Sequence, residues 1–341
     1  MTKTTSKTRA TRAEPTLLVG DIGGTNTRLS LYDHAGKRLL ASLIAPSRDH
    51  ASLEDIARPF LASAGFGHPV VAVLGIAGPV RQGVARVTNL PWTLDERALG
   101  RHLAIPHVRL VNDLVAVATG CLHTPAKGLL LLGDKKPSPK GKNVAVIAAG
   151  TGLGEARLLW NGERHLAHGS EGGHGDFAPR TPIEVELWHF LGQRFPDHVS
   201  YERVVSGDGL GALYDFFTSR ASRVPRSVER RLAESDRNKA IAELGLARAF
   251  RPAARAVDLF VSIYGAEAGN LALRELALGG VFVAGNIGRT LVSARKELFL
   301  EAFRKKGRFA GLLAEVPVAV VTDPMVGVRG ALALAREDAE T

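Results

Sequence analysis

Cysteine is nearly missing: Cys121 is the only one in 341 residues. That excludes a disulfide framework and any zinc site built from several cysteines. No apolar run approaches the ~20 residues that a membrane span needs. Both lacks point to a soluble, cytoplasmic protein that works in a reducing compartment and has no membrane partner. Two phosphate signatures are also absent. No G-K-[ST] closes a glycine loop, so there is no Walker loop, and no G-x-G-x-x-G opens a dinucleotide fold.

Acidic charge is scarce too, and the formal net charge is +10. Its location decides what that means. The tail Met1 to Pro15 and the loop Gly133 to Lys142 each hold four basic residues against one acidic, so together they supply +6. A third basic stretch spans 219–232. These are tails and loops, not one helical stripe with aromatic partners, so no specific nucleic-acid partner is expected. The polar composition of 1–15 predicts a disordered basic tail. It has no apolar face for a transit peptide, and it is too short and polar for a DNA-binding helix-turn-helix.

What is present begins at VGDIGGTNTRLSLYD, Val19 to Asp33. A carboxylate ends an apolar run, a turn nearly free of side chains follows, and a second apolar run returns. The pattern reads as a β-hairpin. It reads equally as a phosphate cradle, with glycines that let backbone N–H groups approach an anion and Thr25 adding a hydroxyl. Asp21 beside a polyphosphate demands a cation between them, which is the arrangement of a magnesium–nucleotide site. A near repeat, NVAVIAAGTGLGEARLLWNGE, runs from Asn143 to Glu163. Two such hairpins predict a duplicated α/β architecture with a phosphate turn in each half.

Between and beyond them the pattern predicts a helix near Leu53 to Ala64 and a buried strand over Val70 to Gly78. A helix start follows at Leu94, then a strand at Val108 to Val111 that runs into a helix through Gly120. Helices dominate from Pro182, with a long amphipathic one over Phe250 to Leu278. Strands at Val281 to Gly285 and within 317–324 complete the set. Asp113 stands where a strand gives way to a helix, so it is a candidate base and equally an N-cap. GGVFVAGNIG, Gly279 to Gly288, is a strand that packs tightly on a helix or approaches a ligand. His174 is a turn histidine or a ligand-binding one.

In this order, GDIGGTN (20–26), TNLPW (88–92), VNDL (111–114), GTGLG (150–154), SEGGHGDFAP (170–179), YERVVSGDGL (201–210), AGNIG (284–288) and KGRF (306–309) resemble the bacterial glucokinase family. That family belongs to the sugar-kinase, actin and heat-shock-chaperone ATPase superfamily. The resemblance covers nearly the whole chain past the tail. It implies a two-lobed actin-like ATPase (ribonuclease-H-like) fold of duplicated α/β domains, with the active site in the interlobe cleft. The small lobe would span 16–111, closed by a C-terminal helix at 325–338, and the large lobe 112–324.

The resemblance also implies ATP-dependent phosphorylation of glucose at its 6-hydroxyl, the first step of glycolysis, with Mg²⁺. Another hexose, or a non-catalytic sugar-binding regulator of the same fold, is the alternative. Asp113 would be the catalytic base. Asn89, Asn112, Glu171, His174 and Glu202 would bind the sugar, although Glu202 alone reads equally as a solvated helix residue. Gly20, Asp21, Ile22, Gly23, Gly24, Thr25 and Asn26 would hold the nucleotide's phosphates with Gly150, Thr151 and Gly152. Gly279, Gly280, Gly285, Asn286 and Ile287 would face its adenosine, and Asp21 would hold the metal directly or through water. A zinc site like that of the related ROK kinases lacks its cysteines here. Dimers are common in the family, so a homodimer is one expectation. The chain departs from the family pattern at Ala148, where a glycine is expected, at Gly175, where a larger residue is usual, and at Glu155. The last puts a charge beside a phosphate turn and is expected to weaken nucleotide binding.

Overall fold

The computed structural model describes residues 14–221 and 223–340. Most of the predicted tail, 1–15, lies outside the described residues. The chain divides into two units, one made of 1–120 with 327–341 and the other of 121–326.

In the first unit the elements are β1 (Thr16–Ile22), β2 (Asn26–Asp33), β3 (Leu39–Pro46), α1 (Glu54–Ala64), β4 (Pro69–Ile76), β5 (Val80–Arg81), β6 (Val84–Arg86), β7 (Thr93–Asp95), α2 (Glu96–Leu103), β8 (His107–Asn112) and α3 (Asp113–Leu122). Five of the strands form a sheet in the order β3-β2-β1-β4-β8. β1 pairs antiparallel with β2 and parallel with β4. Its leucines and valine are fully buried, as expected of a strand covered on both faces. The helix expected at Leu94 begins two residues later. Leu94 pairs with Ala85 in the small β5-β6-β7 sheet, and Asp95 Oδ1 accepts the N–H of Ala98 at 2.7 Å. That cap fixes the start of α2.

The second unit holds β9 (Leu129–Leu131), β10 (Val144–Ala149), β11 (Leu153–Trp160), β12 (His165–Ser170), α4 (Pro182–Gly192), α5 (Gly207–Thr218), α6 (Arg226–Ala233), α7 (Arg237–Leu246), α8 (Arg251–Arg274), β13 (Gly280–Ala284), α9 (Lys296–Arg304), α10 (Ala310–Glu315) and β14 (Val318–Val321). Its sheet runs β12-β11-β10-β13-β14-β9. Apart from the antiparallel edge strand β9, this is the first unit's order again, an antiparallel meander followed by parallel strands. α8 ends at Arg274, four residues short of the expected end, and Leu276 takes a left-handed φ of 46°. The helix is buried along almost its whole length, so an amphipathic pattern is the weaker description. Tyr264, on α8, accepts the Ala149 N–H at 3.0 Å and donates to Ile147 O at 3.3 Å. It thereby ties the helix to the end of β10.

The last helix, α11 (Val326–Glu340), returns to the first unit. Its Gly330 lies so close to α3 that a Cβ there would stand 1.7 Å from Ala116 O. Asp338 anchors its far end to Arg109 at 2.9 Å and His107 at 3.3 Å. That backbone-on-backbone packing is why the first turns of α3 count with the first unit. Cys121 is buried and unpaired, and burial pushes its thiol far above the ordinary range. No helix among the described residues is long and apolar enough to cross a membrane.

Candidate active site

The first unit presents its chemistry at the C-terminal ends of β1 and β8. Asp21 sits opposite Arg28 in the β1–β2 register, and Arg28 Nη1 donates to its Oδ2 at 3.0 Å. Burial pushes the Asp21 carboxyl above its usual range, against the pull of Arg28. The first turn of α11 passes close by, with Gly327 placed so that a Cβ would stand 3.8 Å from Asp21 Cγ.

The turn after Asp21 is pinned from three sides. Ser47 N–H donates to Thr25 O at 2.9 Å, and Ser47 Oγ donates to Gly23 O at 2.7 Å. The chain at Thr88 presses on Gly24, where a Cβ would meet Thr88 O at 2.7 Å. Within 20–26, Gly20 and Ile22 are buried in the strand, while Gly23, Gly24, Thr25 and Asn26 stay accessible. The accessible four form the turn and the buried two anchor it in the strand.

Asn89 follows Thr88 with a left-handed φ of 64° and is exposed. Asparagine tolerates that region better than most residues. Asn112 donates to Gly78 O at 3.1 Å and accepts the Leu114 N–H at 3.0 Å. Asp113 opens α3, and its Oδ1 accepts the same Leu114 N–H at 2.8 Å. The capping role open in the sequence is therefore shared between Asn112 and Asp113. That places a carboxylate at the positive end of the helix dipole.

In the second unit the turn between β10 and β11 closes with Gly150 N–H donating to Gly152 O at 2.9 Å. Gly150 O accepts the N–H of Gly207, the first residue of α5, also at 2.9 Å. Gly285 approaches from β13 with φ 82°, and a Cβ there would stand 2.5 Å from Ala149 O. Ile287 lies beside Gly207. The structure thus gathers Gly150–Gly152, Gly207 and Gly285–Ile287 at one end of the sheet. Gly279 and Gly280 are not among them. They sit at the opposite end of β13, against Asn143, Pro137 and Pro139, where they admit the basic loop of 133–142.

His174 closes a short turn, Gly172–His174, after β12. Its Nε2 lies 3.9 Å from Glu171 Oε2 and its Nδ1 4.0 Å from Glu202 Oε1. These gaps exceed hydrogen-bond length, so the three groups do not satisfy one another. Glu171 and His174 are 76% and 59% exposed. Glu202 does double duty: its Oε2 accepts the Leu153 N–H at 2.9 Å, which anchors the Gly150–Gly152 hairpin beside the histidine. It is therefore not a solvated helix residue. Gly175 keeps the turn tight, donating to Gly172 O and accepting the Tyr201 N–H.

Glu155 does not face the Gly150–Gly152 turn as an open charge. It is 1% exposed, and Arg274 Nη2 donates to its Oε2 at 2.9 Å. Ala148 pairs with Gly154 across the hairpin, so a glycine is present in that pair on the other strand. Sequence reasoning missed Ser47 and Tyr264, which hold the two turns. Neither lies in a motif, since each acts from a distant element.

The model of the glucokinase family matches residues 18–338. A glucokinase of Nostoc sp. is 38% identical over 333 residues, covering 92% of this chain and 97% of its own. The crystal structure of a glucokinase from an Antarctic psychrotroph superposes with a TM-score of 0.80 at 29% identity, covering 94% of this chain and 99% of the other. A ROK-family glucokinase from Streptomyces griseus, solved in complex with glucose and AMPPNP, gives a TM-score of 0.63 at 19% identity over 94% and 99% of the two chains. That last likeness is one of fold alone, mixed α/β.

Proposed function

Because the chain belongs to the glucokinase family, we infer that it transfers the γ-phosphoryl group of ATP to the 6-hydroxyl of D-glucose, giving glucose 6-phosphate and ADP. The observation that carries the sugar side is the trio around His174. Two carboxylates flank an imidazole at 3.9 and 4.0 Å, none of the three hydrogen-bonds another, and Glu202 holds the Leu153 N–H through only one of its oxygens. A pyranose offers hydroxyls that both donate and accept, which is what such a set takes up. Asn89 and Asn112 of the first unit offer amide groups that suit hydroxyls in the same way. A sugar lacking a matching hydroxyl leaves these groups unpaired and is rejected.

Asp113 acts as the base. It accepts the proton of the 6-hydroxyl as that oxygen attacks the γ-phosphorus, and charge neutralisation and alignment do the rest. The Gly23–Asn26 and Gly150–Gly152 turns would hold phosphate with the backbone N–H groups left over once Gly23 and Gly150 have donated to Asn26 O and Gly152 O, and Gly285, Asn286 and Ile287 face the adenosine. Among the described residues, no three His, Cys, Asp or Glu side chains are grouped to hold a metal. Magnesium keeps its waters and arrives on substrate phosphates with one or two protein carboxylates. Asp21 would hold it, directly or through water, and the ion would supply positive charge to the transferring group. The activity belongs to the cytoplasm, where both substrates reside. A coupled ADP-release assay over a panel of hexoses with magnesium–ATP tests this reading. Release with glucose at a kcat/KM well above that for mannose or N-acetylglucosamine is expected, and a better non-glucose substrate would reassign the sugar.

A further inference from the structure

Beneath the turn that carries Glu171 and His174 lies a buried acid pair. Glu155 on β11 is 1% exposed and Glu267 on α8 is 0% exposed. One guanidinium serves both: Arg274 Nη2 donates to Glu155 Oε2 at 2.9 Å and to Glu267 Oε1 at 2.6 Å. The other Glu267 oxygen accepts from Asn270 Nδ2 at 2.8 Å. Glu155 Oε1 is buried with no hydrogen-bond partner among the described residues. Two buried carboxylates with one orphaned oxygen lack a donor, and a proton on Glu155 supplies it.

The same side chain is the floor of the turn. A Cβ on Gly172 would stand 2.2 Å from Glu155 Oε2. The main chain adds to this: Glu155 pairs with Ser170, Ser170 Oγ donates to Glu155 O at 3.3 Å, and Gly172 N–H donates to Ser170 Oγ at 3.3 Å. On the far side, Tyr201 OH accepts from Asn270 Nδ2 at 3.1 Å, and Tyr201 immediately precedes Glu202. Both chain segments that bear the sugar-side residues of this unit therefore rest on one cluster.

We propose that Glu155 is a positioning residue for hexose binding: as a neutral acid that donates to Glu267 it fixes the Ser170–Gly175 turn, and its ionisation releases that turn and weakens hexose affinity. This rests on the reading of Glu171 and His174 as hexose ligands. The charged and titratable groups facing Glu155 are Glu267, Arg274 and Tyr264 from α8. Arg157 lies two residues on along β11 but pairs outward with Glu275 at 3.6 Å. Lys306 Nζ bonds Ala266 O and Asn270 Oδ1, so it meets the cluster through Glu267's partner. Burial first, then the Glu267 charge, push Glu155 up to about 8 despite Arg274. The neutral form prevails at neutral pH and is lost above it.

The test is steady-state kinetics against pH for the wild type and Glu155→Gln, whose amide keeps the volume and a donor but cannot ionise. The wild-type KM for glucose rises roughly ten-fold between about pH 7 and about pH 9, as the competent fraction falls. The KM for ATP follows the same course in both proteins. In Glu155→Gln the glucose KM is flat with pH, whatever its level. Identical glucose profiles in the two proteins, rising or flat, overturn the proposal. Should the variant fail to fold, calorimetry of glucose binding to the wild type near pH 8.5, in buffers of different ionisation enthalpy, decides instead. Proton uptake on binding is expected, and its absence overturns the proposal. Glu171→Ala and His174→Ala separate the two readings. If they leave the glucose KM unchanged, the assignment of the hexose ligands falls. If they raise it while Glu155→Gln keeps the wild-type pH profile, only the positioning role falls.

Discussion

The turn after β1 and the turn after β10 are built on the same sheet order, yet they place their carboxylates differently. In the first unit the acid is on the outgoing strand: Asp21 is one residue from the strand's end and remains accessible beside Arg28. In the second unit the strand ends in Ala148-Ala149. The acids come from the returning strand, as Glu155, and from a distant turn, as Glu202. Glu155 is buried against Arg274, and Glu202 holds the Leu153 N–H. A duplicated scaffold thus supports a division of labour. One hairpin leaves its carboxylate accessible, and the other uses its carboxyl groups to hold itself and the neighbouring histidine turn in place.

The sharpest way to test that division is to remove charge from the first unit without removing volume. Asp113→Asn is expected to lower kcat by roughly 10²- to 10⁴-fold, the usual contribution of a positioned base. Glucose affinity should change little, because the amide still accepts the Leu114 N–H and still reaches a hydroxyl. Stopped assays with equilibrium glucose binding check it. Near-wild-type turnover would remove Asp113 from the base role.

Asp21→Ala should give a smaller but still large loss, read as a higher magnesium and ATP requirement with glucose binding intact. If glucose affinity fell while the ATP dependence held, the sugar and nucleotide roles of the two regions would have to be exchanged. The variant also removes the Arg28–Asp21 ion pair, so thermal stability must be recorded alongside.

The two hairpins were legible in the sequence because each is a local pattern: an apolar run, a glycine turn and an apolar return. The sheet order was not, since the parallel pairings of β1 with β4 and of β10 with β13 join segments far apart in the chain. Candidate residues were readable where a motif is short and continuous, as in Glu171-Gly-Gly-His174. They were misread where one motif spans a whole strand. GGVFVAGNIG looks like one unit in sequence, yet an extended strand carries its first glycines to the far end of the sheet from its last. Glu155 stood out as an unexpected charge, but its partners Glu267 and Arg274 lie more than a hundred residues on, and no local pattern announces a burial partner. The helix start at Leu94 failed for a milder reason. A three-residue strand pairing with β6 outweighs the helical pattern until Asp95 caps it.

The buried acid of the second unit also makes a stability prediction whose sign follows from its shift. Glu155 ionises near 4.5 when unfolded and near 8 when folded. Below both values it is protonated in either state and contributes no pH dependence. As pH rises from about 4.5 to about 8 the unfolded state gives up its proton first, so this group's contribution to stability falls across that window. Glu155→Gln should therefore show a flatter decline of Tm between about pH 5 and about pH 8 than the wild type. Asp21, raised in the same direction but partly exposed, should matter less when changed to Asn. Equal slopes in wild type and Glu155→Gln would mean that the acid is charged in the folded protein.

The smallest effects compare what holds each turn from behind. Tyr264 supports the second turn by accepting the buried Ala149 N–H, and Ser47 supports the first by donating to Gly23 O while meeting Thr27 Oγ1 at 3.0 Å. Tyr264→Phe removes an acceptor and leaves a buried backbone donor unpaired, a cost of about 1–3 kcal/mol. Ser47→Ala removes a hydroxyl bonded to the carbonyl of Gly23, a residue that is only half-buried, so about 1 kcal/mol is expected. Denaturant unfolding of the two variants should rank them in that order. In kinetics, Tyr264→Phe should raise the KM for ATP more than Ser47→Ala does. Its N–H belongs to the residue directly before Gly150, whereas Ser47 N–H still holds Thr25 O after its side chain is cut back. The reverse ranking in both measurements would show that the first turn, despite its three supports, is the less secure of the two.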